Sequence, residues 1–315
     1  MEVMMSQTYR VYPNVTIGEG AKVGDFAIIG LPVEGEPEGD LETVIGSNAV
    51  IGSHSVIYSG VKIDSSFRCG HGVVIGSDCV IGRNCLVGDN STIRFAILGN
   101  DTVVQELVNL GILPASKYDY KGVGKNVDRV TRIGDNSIIR SHTSIYTQTQ
   151  FGSHFNCGHG VRIRECTIVG CHTTIGTNAQ IEGFVEIGDD VIIQTNAHIG
   201  QFSRMEDGTY ITAGAVLTNT LHPLCPKAKQ CLRGVTLRRG AKVGVNVSVM
   251  PGVVIAEDAL VGAGAVVVED VAPGDLVVGV PAKRIASVYE LSCPYALIDK
   301  PYHESEGISD ESSTC

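Results

Sequence analysis

Apolar residues return at every sixth position along most of this chain. The longest unbroken run goes Ile133, Ile139, Ile145, Phe151, Cys157, Ile163, Val169, Ile175, Ile181, Ile187, Ile193, Ile199, Met205, Ile211 and Leu217. Four earlier beats run from Val11 to Ile29, nine from Ile45 to Ile93, and six close the pattern from Leu237 to Val267. With 43% of residues apolar, agreement at 34 positions has a chance probability on the order of one in a trillion. The residue two before the beat is usually small, as at Ala49, Ser55, Cys79, Ser137, Thr143, Ala197 and Ala265. The residue after it is often glycine, as at Gly46, Gly52, Gly134, Gly188 and Gly262.

A period of six does not match a helix, but it contains the two-residue strand period three times. It predicts short strands in which the beat residue and the small residue face inward. Each strand would end in a corner, where glycine supplies a permissive backbone. Three such faces close a triangular coil of 18 residues. Parallel coils stack about 4.8 Å apart, so the beats make roughly eleven coils and a prism about 50 Å long. The expected class is all-β, a parallel β-helix in which residues 18 apart lie one above the other.

Breaks in the beat mark the organisation. Residues 31–42 read as an acidic, solvated loop, and residues 218–236 leave the prism as a further loop. Residues 94–132 form the largest break, in which Val103, Val104, Leu107 and Leu110 would line one face of a short helix before a return rich in Lys, Tyr and Gly. The reading is one solenoid over 1–285 carrying these three insertions, followed by a C-terminal tail, 286–315, whose last dozen residues are polar.

Composition narrows the function. The absence of Trp and the presence of only seven Phe suit a core that admits one aliphatic residue per face. A formal charge of −10 argues against a nucleic-acid partner. There is no apolar span of membrane length, and Met1 to Arg10 lacks the apolar centre of a signal peptide. The ten cysteines are scattered, with Cys69 and Cys157 on the beat, as expected of reduced packing residues in a cytoplasmic protein.

Candidate chemistry gathers on the corners. Residues 45–73 align without gaps on 133–161, so His54 matches His142 and His71 matches His159. Either a segment duplication or the common coil pattern accounts for this echo. By the stacking rule His142, Gly160, Asn178 and Asn196 share one column, His159, Thr177 and Thr195 the adjoining one, and His154, His172 and Asp190 another. A single polar side chain there is most simply a solvated turn residue. Two clustered histidines beside asparagines suit proton transfer near neutral pH, because imidazole titrates at about 6.5. In the third loop His222, Cys225 and Cys231 have zinc-ligand types but supply one ligand too few for a closed site. Residues 227–242 hold Lys227, Lys229, Arg233, Arg238, Arg239 and Lys242 with no acidic residue, a local positive surface on an acidic protein.

The segment GAKVGVNVSVMPGVVIAEDALVGAGAVVVEDVAPGDLVVGVPAKRI, residues 240–285, resembles the terminal signature of the hexapeptide-repeat acyltransferases. With SHFNCGHGVRIRECTIVG and TTIGTNAQIEGFVEIGDDVIIQTNAHI, it looks like the branch that N-acylates nucleotide-linked amino sugars. The resemblance covers roughly residues 130–285 and implies a left-handed helix, against the usual crossover hand. It also implies a homotrimer with acetyl-CoA in the groove between neighbours. Asn246, Ala263, Ala265, Val280, Pro281, Lys283 and Arg284 would then contact the carrier, and Arg239 and Lys242 of the basic stretch would attract its phosphates. His159 is the implied base, and His142 and Asn178 would position the acceptor. The acceptor amine would attack the thioester carbon while backbone N–H groups stabilise the oxyanion. His222 is the second choice for base, since related galactoside and xenobiotic acetyltransferases carry theirs in a comparable loop. The rival readings are a zinc enzyme of the γ carbonic anhydrase type, built on His154, His159 and His172 or His142, and a non-catalytic scaffold.

Overall fold

The computed structural model describes residues 8–114 and 129–302. Most hexads form a strand of two residues whose second member is the beat residue, as in Val74–Ile75, Asn156–Cys157 and Val254–Ile255. Side chains alternate across so short a strand, so the beat side chain points into the core and its predecessor outward. Ile75, Cys157 and Ile255 are fully buried, and so are the small residues at Ala49, Ser55, Ser137, Thr143 and Ala197.

The chain forms two compact units, Met1–Thr167 and Ile168–Cys315. Within each, strands three apart in the sequence pair in parallel, which gives three sheets. In the first unit Val56 pairs with Val74 and Val74 with Thr92, a repeat of 18. In the second, Glu186 pairs with Arg204 and Ile192 with Tyr210 at the same spacing. This is the left-handed parallel β-helix fold expected above, and each pairing stacks like side chains into an aliphatic ladder.

The glycine after the beat has a different purpose from the one expected. Gly46, Gly52, Gly134, Gly188 and Gly262 are absent from the positive-φ residues. A Cβ on Gly52 would lie 2.0 Å from the Gly70 carbonyl oxygen, and one on Gly134 2.6 Å from the Gly152 carbonyl carbon. These positions need glycine because the next coil passes too close for a side chain. The left-handed backbone instead falls three residues after the beat, at residues such as Asn48, His54, Asp78, Asn136 and His142.

The helix expected from Val103, Val104, Leu107 and Leu110 is not formed. Val103–Val104 and Asn109–Ile112 are strands, and Leu107 sits at a left-handed corner with φ 58°. The cause is a coil one residue short: Val80 pairs with Ile97 and Leu86 with Val103, 17 positions on. That single deletion moves the beat to Leu98, Val104 and Leu110, all buried. The true excursion lies between the paired strands Ala96–Leu98 and Thr131–Ile133, after Ile112. Residues 115–128, most of the expected return, and the polar last dozen residues lie outside the described residues.

The second unit closes on an antiparallel hairpin of Asp275–Val278 with Lys283–Ser287, where the 18-residue rule gives way to a pairing of Leu260 with Leu276. GVPAKRI is therefore a turn and an edge strand, followed by a short 3₁₀ turn whose Val288 is buried. Among the described residues no helix is long and apolar enough to cross a membrane.

Candidate functional site

The corners decide which candidate residues need a functional explanation. His142, His154, His172, Asn178, Asn196 and Asn246 all lie in the left-handed region, with φ between 54° and 63°. Asn, Asp and His are the side chains that tolerate this region best after glycine, so the backbone alone accounts for these residue types. His159 is different. The left-handed residue of its corner is Gly160, with φ 65°, so nothing in the backbone calls for a histidine at 159.

His159 is exposed in the turn between Asn156–Cys157 and Arg162–Ile163. One coil earlier is His142, and Gly160 donates its N–H to the Ser141 carbonyl at 2.9 Å. Below Ser141 lie two residues from the region read as a break, Gln105 and Glu106. The Ser141 hydroxyl donates to Glu106 Oε1 at 2.7 Å and reaches Gln105 Oε1 at 3.2 Å, and the Ser141 N–H donates to the same Gln105 oxygen at 3.3 Å. The His142 N–H donates to the Glu106 carbonyl at 3.4 Å. The Ser141 hydrogen bond, and next the backbone N–H of Glu106, hold the Glu106 carboxyl below its usual range; slight desolvation opposes this, and His159 and His142 add to it. A carboxylate thus lies within electrostatic reach of both histidines. Glu106 also borders a groove of about 680 Å3 within the first unit, lined further by Arg68, Leu86, Asp89, Asn90 and Leu107.

Sequence reasoning missed Gln105, Glu106 and Ser141. Their signal becomes readable once the beat is shifted to Val104: Gln105 then stands directly after it, where glycine is usual.

The other candidates lie in the second unit. Asn178 is exposed at a left-handed corner, as is Asn246. Ala263, Val280 and Pro281 are exposed, whereas Ala265 is fully buried. Ala265 lies two before the beat, and its side chain packs the core. Among the basic residues, Lys283 lies 3.4 Å from Glu269, Arg284 2.6 Å from Asp275, Arg239 3.2 Å from Asp207 and Arg238 2.6 Å from Glu206. Lys242 donates to the Gly240 carbonyl at 2.6 Å and lies 3.7 Å from Asp258. The stretch is basic in sequence, but the fold sets carboxylates against it. Arg239 also borders a second groove of about 620 Å3, with Ile168, Glu186, Arg204 and Asp207. His222 is exposed in the third loop, where its carbonyl accepts from the Cys225 N–H at 3.2 Å. Cys225 and Cys231 are exposed free thiols. Among the described residues no three His, Cys, Asp or Glu side chains gather in a way that could hold a metal ion.

The repeat itself has known counterparts. Residues 166–201 match the family described as bacterial transferase hexapeptide (six repeats). Residues 42–65 and 80–105 match the hexapeptide repeat of succinyl-transferase. Over these stretches the chain carries hexapeptide repeats of the kind these transferase models describe. Among curated relatives of this hexapeptide-repeat chain, a 2,3,4,5-tetrahydropyridine-2,6-dicarboxylate N-acetyltransferase of Clostridium perfringens is 40% identical over 81 residues, 26% of this chain and 32% of that protein. The chain thus spans about a third of the length of the curated relatives it matches. Among solved structures, perosamine N-acetyltransferase from Caulobacter crescentus, in complex with CoA and GDP-perosamine, is 26% identical with a TM-score of 0.23, covering 46% of this chain and 57% of that one. LpxA from Acinetobacter baumannii is 18% identical with a TM-score of 0.36, covering 88% and 74%.

Proposed function

We propose that this protein is an acetyl-CoA-dependent N-acetyltransferase acting on the amino group of a nucleotide-linked amino sugar, with His159 as general base. The observation that carries the reading is an exposed histidine that its backbone does not require, on a corner where the Ser141 hydroxyl fixes the carboxylate of Glu106 within electrostatic reach. Similarity to N-acetyltransferases over 81 residues supports the reaction class.

An acceptor amine arrives as an ammonium and becomes a nucleophile only after losing a proton. In this reading His159 takes that proton, Glu106 offsets the positive charge then formed on the imidazole, and His142 orients the acceptor; Asn178 is a separate acceptor-binding candidate on the second unit. His222 is the reserve candidate for base. Acetyl-CoA would supply the acyl group as a thioester. Asn246, Ala263, Val280, Pro281, Lys283, Arg284, Arg239 and Lys242 are the residues that would hold it. The exposed Val280 suits the apolar arm of the carrier, and the cations suit its phosphates, although those phosphates must compete with the carboxylates already present. Assembly as a homotrimer in the cytoplasm completes the proposal.

The test is a thiol-release assay with acetyl-CoA over a panel of nucleotide-linked amino sugars, with the dicarboxylate acceptor named for the Clostridium relative as comparator. Turnover should be found with an amino sugar, and His159→Ala should lower kcat by about 10²- to 10⁴-fold with melting unchanged. Full activity in that variant would remove His159 from the reaction. Turnover of the dicarboxylate alone would replace the acceptor class.

A further inference from the structure

The first unit holds two corresponding corners, and they treat their histidines differently. At the earlier one, the Ser53 backbone N–H donates to His71 Nδ1 at 3.0 Å, and the His71 backbone N–H donates to Asp89 Oδ1 at 2.6 Å. A neutral imidazole whose Nδ1 accepts a hydrogen bond carries its proton on Nε2. The outward nitrogen of His71 is then a donor, and its Nδ1 is already engaged by the Ser53 amide.

At the later corner Ser141 stands where Ser53 stood and His159 where His71 stood. The Ser141 N–H goes to Gln105 Oε1 instead. Among the described residues the His159 ring makes no hydrogen bond. The difference comes from the coil beneath. The His54 N–H donates to the Asp25 carbonyl as the His142 N–H does to that of Glu106, so Gly24 is the counterpart of Gln105. A Cβ on Gly24 would lie 2.6 Å from the Ser53 nitrogen. Gly24 therefore has no side chain to offer, and the imidazole takes the amide.

We propose that Gln105 is a positioning residue: by occupying the Ser141 amide it keeps His159 off the backbone donor that fixes His71, so that only the later of the two corners can accept a proton. The claim about the ring stands by itself, and its catalytic consequence rests on the function proposed above. Glu106 completes the arrangement through the Ser141 hydroxyl, which leaves a negative charge beside an imidazole free to turn.

Ring ¹⁵N spectra of histidine-labelled full-length protein test the first claim without reference to turnover. In wild type, His71 should show a fixed Nε2–H tautomer and His159 a mixture. In Gln105→Ala, His159 should take on the His71 pattern, and Gln105→Glu, which keeps an oxygen within reach of the Ser141 amide, should restore the mixture. In the thiol-release assay Gln105→Ala should lower kcat on the order of tenfold with KM unchanged. His71→Ala should leave kcat within about twofold of wild type, because its Nδ1 is engaged by the Ser53 amide. A wild-type His159 spectrum identical to that of His71 overturns the inference even if Gln105→Ala fails to fold. A shifted His159 spectrum with unchanged kcat overturns the catalytic part alone. If no amine is turned over by wild type while the spectra behave as stated, the proposed function fails and the inference about the ring survives.

Discussion

Gly52→Ala tests why glycine follows the beat. The added Cβ would lie 2.0 Å from the Gly70 carbonyl oxygen and 2.3 Å from its carbon, both backbone atoms of the next coil. Ordinary carbon contacts begin near 3.5 Å, so the coils must part locally by about 1.5 Å. The bonds resisting this are those that join the same coils, Val50 N–H to Phe67 O at 2.8 Å, Val56 N–H to Val73 O at 2.8 Å and Gly72 N–H to Ser53 O at 3.0 Å. Overpacking of this kind costs roughly 1–3 kcal/mol. At about 2–4 °C per kcal/mol, the melting midpoint should fall by roughly 2–12 °C. Gly76 is the control, since it holds the same place in its hexad but its added Cβ meets first the side-chain Cγ of Arg94 at 3.0 Å, with the nearest backbone atom at 3.5 Å. That side chain can swing away, and alanine reduces the freedom of the unfolded chain, so Gly76→Ala should melt within about 2 °C of wild type or slightly above it. Calorimetry on the two variants, with hydrogen exchange at the Gly72 amide, reads the comparison. If both melt together, close approach of the coils is not what these glycines serve.

Two further outcomes follow from the corners. His142→Asn keeps a residue suited to the left-handed backbone and should melt within about 1 °C of wild type, whereas His142→Val should lose on the order of 1–2 kcal/mol by urea titration; equal stability of the two would sink the backbone account of that histidine. Glu106 has its folded pKa held below the ordinary 4.5, so its stabilising contribution is present above that value and is lost as pH falls through the lowered one. Melting curves from pH 6 downward should therefore fall more steeply for wild type than for Glu106→Gln, and parallel curves would contradict the Ser141 and histidine contacts.

The sequence made the repeat legible because a period of six repeats a packing requirement at every turn, and burial of Ile75, Ile145 or Val249 follows from it directly. It did not make residues 96–112 legible. One missing residue near Phe95 shifts the phase, and a rigid count then reads Val103, Val104, Leu107 and Leu110 as a helical face. The same slip concealed Gln105 and Glu106, which meet Ser141 only because the excursion after Ile112 returns the chain to the next coil. His159 was legible as a residue type, but its neighbours were not, since hydrogen bonds across 35 and 36 positions cannot be read from spacing alone. The basic stretch shows the converse limit: Arg239 and Lys242 look unopposed in sequence, while their partners Asp207 and Asp258 are brought in by coil stacking.

The left-handed corners give this scaffold an unusual economy for acquiring chemistry. Where the backbone already welcomes Asn, Asp or His, exchanging one for another places a ligand, an acid or a proton acceptor on the surface without disturbing the aliphatic ladder beneath. New reactions on such a framework can arise by drift among three tolerated letters, and selection then has only to arrange the neighbours.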